Sequence, residues 1–168
     1  DFRNFFVNHL KGLASRLMAN PRRWYHKKKA RNCNKENVSI ICNNCTGGII
    51  LHDLGLKFNT PTINTLFYSA DDFIFFVLNI RVFSKSDIFR VVDPNYSYPI
   101  GGMKFGSRVI KVGFVHYSTF EEAKSKWIER FSRLDFDNMI ILWEGKGIGE
   151  KELISLDALK MQKMVISK

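Results

Sequence analysis

Between residues 2 and 18 the apolar positions Phe2, Phe5, Phe6, Leu10, Leu13 and Leu17 recur at steps of three and four, with His9 on the same face. Arg3, Lys11 and Arg16 fall among the remaining positions, so the spacing predicts an amphipathic helix with a basic polar face. Asn20-Pro21 ends it, because a residue before proline is pushed out of the helical conformation, and a basic segment runs from Arg22 to Arg31. From residue 37 the rhythm changes. Short apolar runs predict strands at 38–42, 62–67, 109–115, 139–143 and 164–166, and helices at 47–56, 70–80, 119–134 and 150–159. Ser69 reads as the N-cap of the second of these helices, with Asp71 and Asp72 complementing its positive end. Residues 89–92 form an extended piece, and 93–106, rich in Pro, Tyr and Gly, a loop. Strands alternating with helices imply parallel pairing, since a parallel connection needs a crossover. The expected fold is therefore α/β: a layered αβα domain over 36–168 with a central, mostly parallel, Rossmann-like sheet. A basic amphipathic helix and linker over 1–35 precede it.

Composition narrows the class. A chain of 168 residues, 45% apolar and 14% aromatic, suits one folded domain and argues against disorder. The net charge of +10 is uneven: residues 1–36 hold ten Lys and Arg against Asp1 and Glu36, while the remainder holds sixteen bases against fourteen acids. Any anionic partner is thus met at the N-terminal segment. An anionic membrane surface met by residues 2–31 fits, each basic residue near such a surface contributing about 1 kcal/mol. Docking of the helix on the core is the bland alternative. Nucleic acid ranks below both, because no recognition module accompanies the basic run. The apolar run at 73–78 is far short of the roughly 20 residues that span a bilayer. Cys33, Cys42 and Cys45, an odd count crowded into one stretch without a secretory leader, point to a reducing, cytoplasmic compartment. The expected location is cytoplasmic, peripheral on the inner face of the cell membrane.

In parallel sheets ligands sit beyond the carboxyl ends of strands, which nominates residues 43–48, 116–119 and 144–149. The densest polar group is Cys42-Asn43-Asn44-Cys45-Thr46-Gly47-Gly48, followed by His52 and Asp53. Asn43, Asn44 and the backbone of Gly47 and Gly48 suit an anionic or carbonyl oxygen at a helix start, against the plainer reading of a tight turn. It matches no nucleotide-binding glycine motif. Cys45 at a helix N-terminus is a candidate nucleophile, with His52 or His116 as base, or else a small packing residue. A zinc site from Cys33, Cys42, Cys45 and His52 is weakly supported, lacking the second half of a paired motif, and no metal or cofactor is assigned. Asp53, Asn64 and Tyr117 are expected to converge on the same sheet edge as substrate-binding groups. Arg130 either holds a phosphate or bridges neighbouring acids. Residues 145–149 form a glycine-rich loop with one cation and carry no assigned role.

Several motifs together resemble one family: residues 38–48 with the turn above, Leu51-His52-Asp53-Leu54-Gly55, Pro61-Thr62-Ile63-Asn64, Phe114-Val115-His116-Tyr117, and Phe120-Glu121-Glu122-Ala123 with Trp127. The chain resembles bacterial exopolysaccharide and capsule biosynthesis proteins that carry an S-N-N-C-x-G-G signature. Cys42 stands where that signature has Ser, which undercuts a required C-x-x-C pair, and residues 144–149 are less acidic than the family pattern. The resemblance implies a place in surface-polysaccharide biosynthesis. The resulting expectation is a transferase, glycosyl or acyl, acting on a sugar, sugar nucleotide or lipid-linked glycan, with a sugar nucleotide, an acyl donor or a glycan as substrate. The alternative is a non-catalytic scaffold module of the same machinery. Within that expectation His116, His52 and Cys45 are catalytic, and Asn43, Asn44, Gly47, Gly48, Asp53, Asn64, Tyr117 and Arg130 bind substrate.

Overall fold

A computed structural model describes residues 38–166 together with Pro21, Trp24, Tyr25 and Lys28. The amphipathic helix expected over 2–18, most of the basic segment, and Cys33 lie outside the described residues. Residues 38–166 form five helices and seven strands, and Pro21, Trp24, Tyr25 and Lys28 are helical, so the chain is still helical at Pro21, where the sequence predicted an end. Strand β1 (Ser39–Cys42) leads into helix α1 (Thr46–Leu54), followed by β2 (Leu66–Phe67), α2 (Ala70–Leu78) and the single turn α3 (Ile80–Phe83). Strands β3 (Ile88–Val91), β4 (Ile100–Phe105) and β5 (Arg108–Gly113) come next, then α4 (Phe120–Phe131), β6 (Met139–Glu144), α5 (Glu150–Asp157) and β7 (Gln162–Ile166). Among the described residues no helix is long and apolar enough to cross a membrane.

The protein is a mixed α/β structure with two sheets. One is parallel, in the order β1-β6-β7, and the other antiparallel, in the order β2-β5-β4-β3. Parallel pairing therefore holds for three strands, whereas the strand expected at 109–115 pairs antiparallel. The difference traces to residues 100–105, where Gly101-Gly102 gave the signal of a loop. Both glycines sit inside β4 because neighbouring side chains already fill the space: a Cβ at Gly101 would lie 2.5 Å from Ile88 Cδ1, and one at Gly102 2.6 Å from the Phe89 ring. The two-residue connection Gly106-Ser107 then turns β4 back onto β5, with Gly106 at φ +60° as such a hairpin requires.

The alternation of side chains along a strand divides the core in two. Ile40, Cys42 and Leu142 face α1, where they pack with Leu51 and Ile63. Ile41, Met139, Ile141 and Trp143 face the other way, into an aromatic core shared with the antiparallel sheet and with Phe73 and Phe76 of α2 and Trp127 and Phe131 of α4. The rings of Phe76 and Phe83 lie 5.5 Å apart and those of Phe114 and Trp127 5.9 Å, in the offset and edge-on arrangements aromatic pairs favour. Ser69 caps α2 by accepting from the Asp72 N–H at 3.1 Å, and Thr119 caps α4 from the Glu122 N–H at 3.2 Å. The sheets join at one corner, where the Phe67 N–H donates to the Asn43 carbonyl at 2.9 Å.

Candidate functional site

The carboxyl ends of β1 and β6 lie side by side, with Cys42 opposite Leu142, so the polar residues that follow both strands meet. The Asn43 side chain, only 5% exposed, accepts from the Glu144 N–H at 2.9 Å and donates to the Glu144 carbonyl at 3.0 Å. Only one orientation of the amide makes both bonds. The Asn44 amide donates to the Glu144 carboxylate at 3.2 Å, while its own oxygen accepts from the Thr46 N–H at 2.9 Å. The Thr46 hydroxyl donates to the same carboxylate oxygen, Oε2. Three residues of the first nominated loop thus orient Glu144 from the third. Glu144 is half-buried, and sequence reasoning gave it no role. Its signal was its position directly after the apolar run Met139-Ile140-Ile141-Leu142-Trp143, the rung where a parallel strand offers a side chain to a ligand.

Gly47 and Gly48 are both buried, and Gly47 serves packing. A Cβ at Gly47 would lie 2.7 Å from the Cys42 Cβ, so α1 closes on β1 only because that position is bare. Cys45 stands at the N-cap of α1, yet its thiol is half-buried and donates to the Thr65 carbonyl at 3.8 Å. Burial pushes its pKa up, which opposes the thiolate a nucleophile needs. Cys42 is fully buried, and burial raises its pKa too, with the Glu144 charge adding to the rise and backbone N–H groups of Asn44 and Gly47 opposing it. Both thiols are free.

His52 and Asp53 sit in the last turn of α1, with Nδ1 of the ring 3.5 Å from the carboxylate and the imidazole 57% exposed. At 1.5 Å rise per residue, His52 is about 10 Å along the axis from Cys45, and the structure does not bring this pair to the turn. His116 is exposed and makes no hydrogen bond or ion pair with the described residues. Among the described residues no group of three His, Cys, Asp or Glu side chains is placed to hold a metal ion.

Tyr117 and Arg130 do meet, at the carbonyl that precedes Asn64. Asn64 adopts φ +60°, in the left-handed region, and the carbonyls on either side of it are both engaged. That of Thr65 accepts from Cys45, and that of Ile63 accepts from the Tyr117 hydroxyl and Arg130 Nη1, each at 3.4 Å. Arg130 Nη1 also donates to the Tyr117 oxygen at 2.5 Å, and its guanidinium lies 5.6 Å from the Phe58 ring centroid. Burial raises the Tyr117 pKa, and the Arg130 charge pulls the other way. The loop around Asn64 therefore links the strand-end cluster at 43–46 to one partly buried cation.

An uncharacterized protein of Haemophilus influenzae is 30% identical over 161 residues, which is 95% of this chain and 75% of that protein. A family model described as a domain of unknown function, DUF1919, matches residues 18–168, beginning ahead of the basic segment and taking in both sheets. The match covers the strand ends, the Asn64 loop and α4 together, and the chain belongs to the DUF1919 family.

Proposed function

We propose that the protein is a transferase of exopolysaccharide or capsular-polysaccharide biosynthesis, acting on a hydroxyl of a sugar or glycan and held to the inner face of the cell membrane by residues 2–31. The observation that carries this reading is the seating of Glu144: a half-buried carboxylate at the adjoining ends of two parallel strands, oriented by Asn44 and Thr46. The β1-α1 and β6-α5-β7 units read as part of a Rossmann-like arrangement, whose ligands gather at those ends. A carboxylate so fixed takes the proton of an acceptor hydroxyl as that oxygen bonds to the donor's anomeric or acyl carbon. The leaving group, a nucleoside diphosphate or a thiolate, departs with the electrons of the bond that breaks. Arg130, held beside Tyr117, is the cation assigned to a donor phosphate. Glu144 thereby takes the base role that the sequence offered to His116 or His52, and Cys45 lines the site as a thiol.

The test compares polymer output and ligand-induced thermal shift in the intact chain and in Glu144→Gln, with UDP-glucose, UDP-N-acetylglucosamine and acetyl-CoA as probes. A ligand present at 100 times its dissociation constant stabilises by about 2.7 kcal/mol. Retained binding with abolished polymer output is the expected result for Glu144→Gln. Full polymer output from that variant would remove Glu144 from the mechanism.

One observation favours the alternative of a non-catalytic scaffold module. Strand β7 is exposed along its whole length and presents Met164, Val165 and Ile166 to solvent at the margin of the parallel sheet. Apolar side chains on an edge that no other described strand pairs suit a protein partner. Polymer output that survives Glu144→Gln but is lost on Met164→Asp would favour that module.

A further inference from the structure

Between β3 and β4 the chain folds residues 92–99 against the first turn of α4. Asp93 organises this loop: its Oδ1 accepts from the backbone N–H of Asn95 at 3.2 Å and from the Asn95 amide at 2.9 Å, and its carbonyl accepts from the Tyr96 N–H at 3.3 Å. Pro94 presets the backbone of the turn. The turn delivers Tyr96 onto two further tyrosines, Tyr68 at 5.1 Å and Tyr98 at 5.4 Å between ring centroids. Beneath them a Cβ at Gly113 would fall 2.7 Å from both the Tyr68 hydroxyl and the Tyr98 ring, so these aromatic rings rest directly on the backbone of β5. The ledge is in place before any ligand arrives, which lowers the ordering cost of binding. Tyr96 nevertheless remains 39% exposed.

A depression of about 420 Å³ opens beside the ledge, lined by Arg90, Asp93, Tyr96, Tyr98, Ser118 and Glu121 among others. Small-molecule sites span roughly 300–1,000 Å³. The lining selects the occupant. Asp93 and Glu121 line it against Arg90, and Lys111 lies 3.9 Å from Asp93, so the surrounding charges balance and favour a neutral ligand over a phosphate. Glu121 and Glu122 already occupy the first turn of α4, so its positive end is met by the protein's own charge. Val91, Val92, Pro94 and Phe120 complete the lining and offer apolar contact to the C–H face of a ring. What fits is a neutral, polyhydroxylated ring with one C–H face. That face lies on the Tyr96 ring, while its hydroxyls donate to Asp93 and Glu121 and accept from Arg90.

We infer that this tyrosine-lined depression is a binding site for neutral pyranose units of a glycan. It belongs to the antiparallel sheet, whereas Glu144 ends a strand of the parallel one. Saccharide binding here rests on the lining alone, and only its role as the acceptor side of a transfer rests on the proposed function.

The test is saturation-transfer NMR on the full chain with maltohexaose, cellohexaose and chitohexaose as neutral probes and UDP-glucose as the charged control. At least one hexaose binds at millimolar concentration, with transfer strongest at ring C–H protons. Tyr96→Ala weakens that binding by about tenfold or more. Ser118→Trp, at an exposed position that fills the depression, blocks it without touching the tyrosine ledge. Because the readout needs no donor, binding lost in both variants sustains the site even where no transferase activity exists. Absence of binding by all three hexaoses overturns the inference. So does wild-type affinity in both variants, or displacement of the bound hexaose by UDP-glucose.

Discussion

The side-chain amide of Asn43 continues the β1–β6 ladder one rung beyond its backbone, accepting from the Glu144 N–H at 2.9 Å and donating to the Glu144 carbonyl at 3.0 Å. Asparagine is the one residue of this length that presents an acceptor and a donor side by side, so the pairing fixes where the Glu144 carboxylate begins. Asn43→Ala leaves both backbone groups of Glu144 without this partner and should cost about 1–3 kcal/mol in a denaturant titration. Asn43→Asp keeps the acceptor but sets an oxygen against the Glu144 carbonyl, so it should be no better than Ala. An Asp variant as stable as wild type would mean the amide is not part of the ladder.

Gly47 and Gly48 are neighbours in α1 with opposite tolerances. A methyl at 47 meets the Cys42 Cβ at 2.7 Å, whereas one at 48 meets Ile63 at 3.5 Å, an ordinary contact. Gly47→Ala should lower stability by about 1–3 kcal/mol, the usual cost of overpacking. Gly48→Ala should be neutral or stabilising by up to about 1 kcal/mol, since alanine is the better helix former. Thermal unfolding of the two variants decides it, and equal losses would refute the packing role of Gly47.

The elements with clear periodicity were legible from sequence. Ser69 announced α2, the pattern over 119–134 gave α4, and the apolar runs at 38–42 and 139–143 became the paired β1 and β6. What was not legible depended on contacts from elsewhere in the chain. Gly101-Gly102 looked like a loop because the Ile88 and Phe89 side chains that fill its space come from another strand. Asn43, Asn44, Asn64, Tyr117 and Arg130 were singled out in the sequence as substrate-binding groups. Which of them engage Glu144, and which only hold the loop around Asn64, required the β1–β6 register that places residues 43–46 beside residue 144. His52 was misplaced because proximity in sequence to Cys45 is distance along a helix.

Asn64 separates a backbone role from a chemical one. Its φ of +60° is open to glycine and tolerable for asparagine, but a β-branched residue there is strained. Asn64→Gly should unfold at nearly the wild-type temperature, and Asn64→Val should lose about 1–2 kcal/mol or more. Polymer output then reads the amide itself: a stable Asn64→Gly with lost output assigns the side chain to substrate, while retained output confines it to the turn.

Cys45 should behave as a thiol. With its pKa raised by burial, little thiolate exists at neutral pH, and iodoacetamide should label it more slowly than a free cysteine, as read by peptide mass mapping. Cys45→Ser should retain polymer output. Rapid labelling of Cys45 at neutral pH would restore the nucleophile reading.

Glu129 provides a pH test on α4, next to Arg130. Its carboxylate accepts from Lys126 at 2.8 Å and from Arg133 at 2.6 Å, and these two cations, Lys126 foremost, pull its pKa from 4.5 to about 2. A carboxylate with a depressed pKa in the folded state adds stability that is complete above 4.5, where the unfolded chain is also ionised. As pH falls from 4.5 toward about 2, the unfolded state takes up the proton first and the contribution drains away. Glu129→Gln removes the titration, so the stability gap between wild type and variant should be full near neutral pH and closed at about pH 2. The group is exposed to solvent, so added salt should shrink the same gap at neutral pH. Urea titrations of both proteins across this range are the measurement. A gap that persists unchanged at the acid end would mean that its pairs with Lys126 and Arg133 add nothing to the folded state.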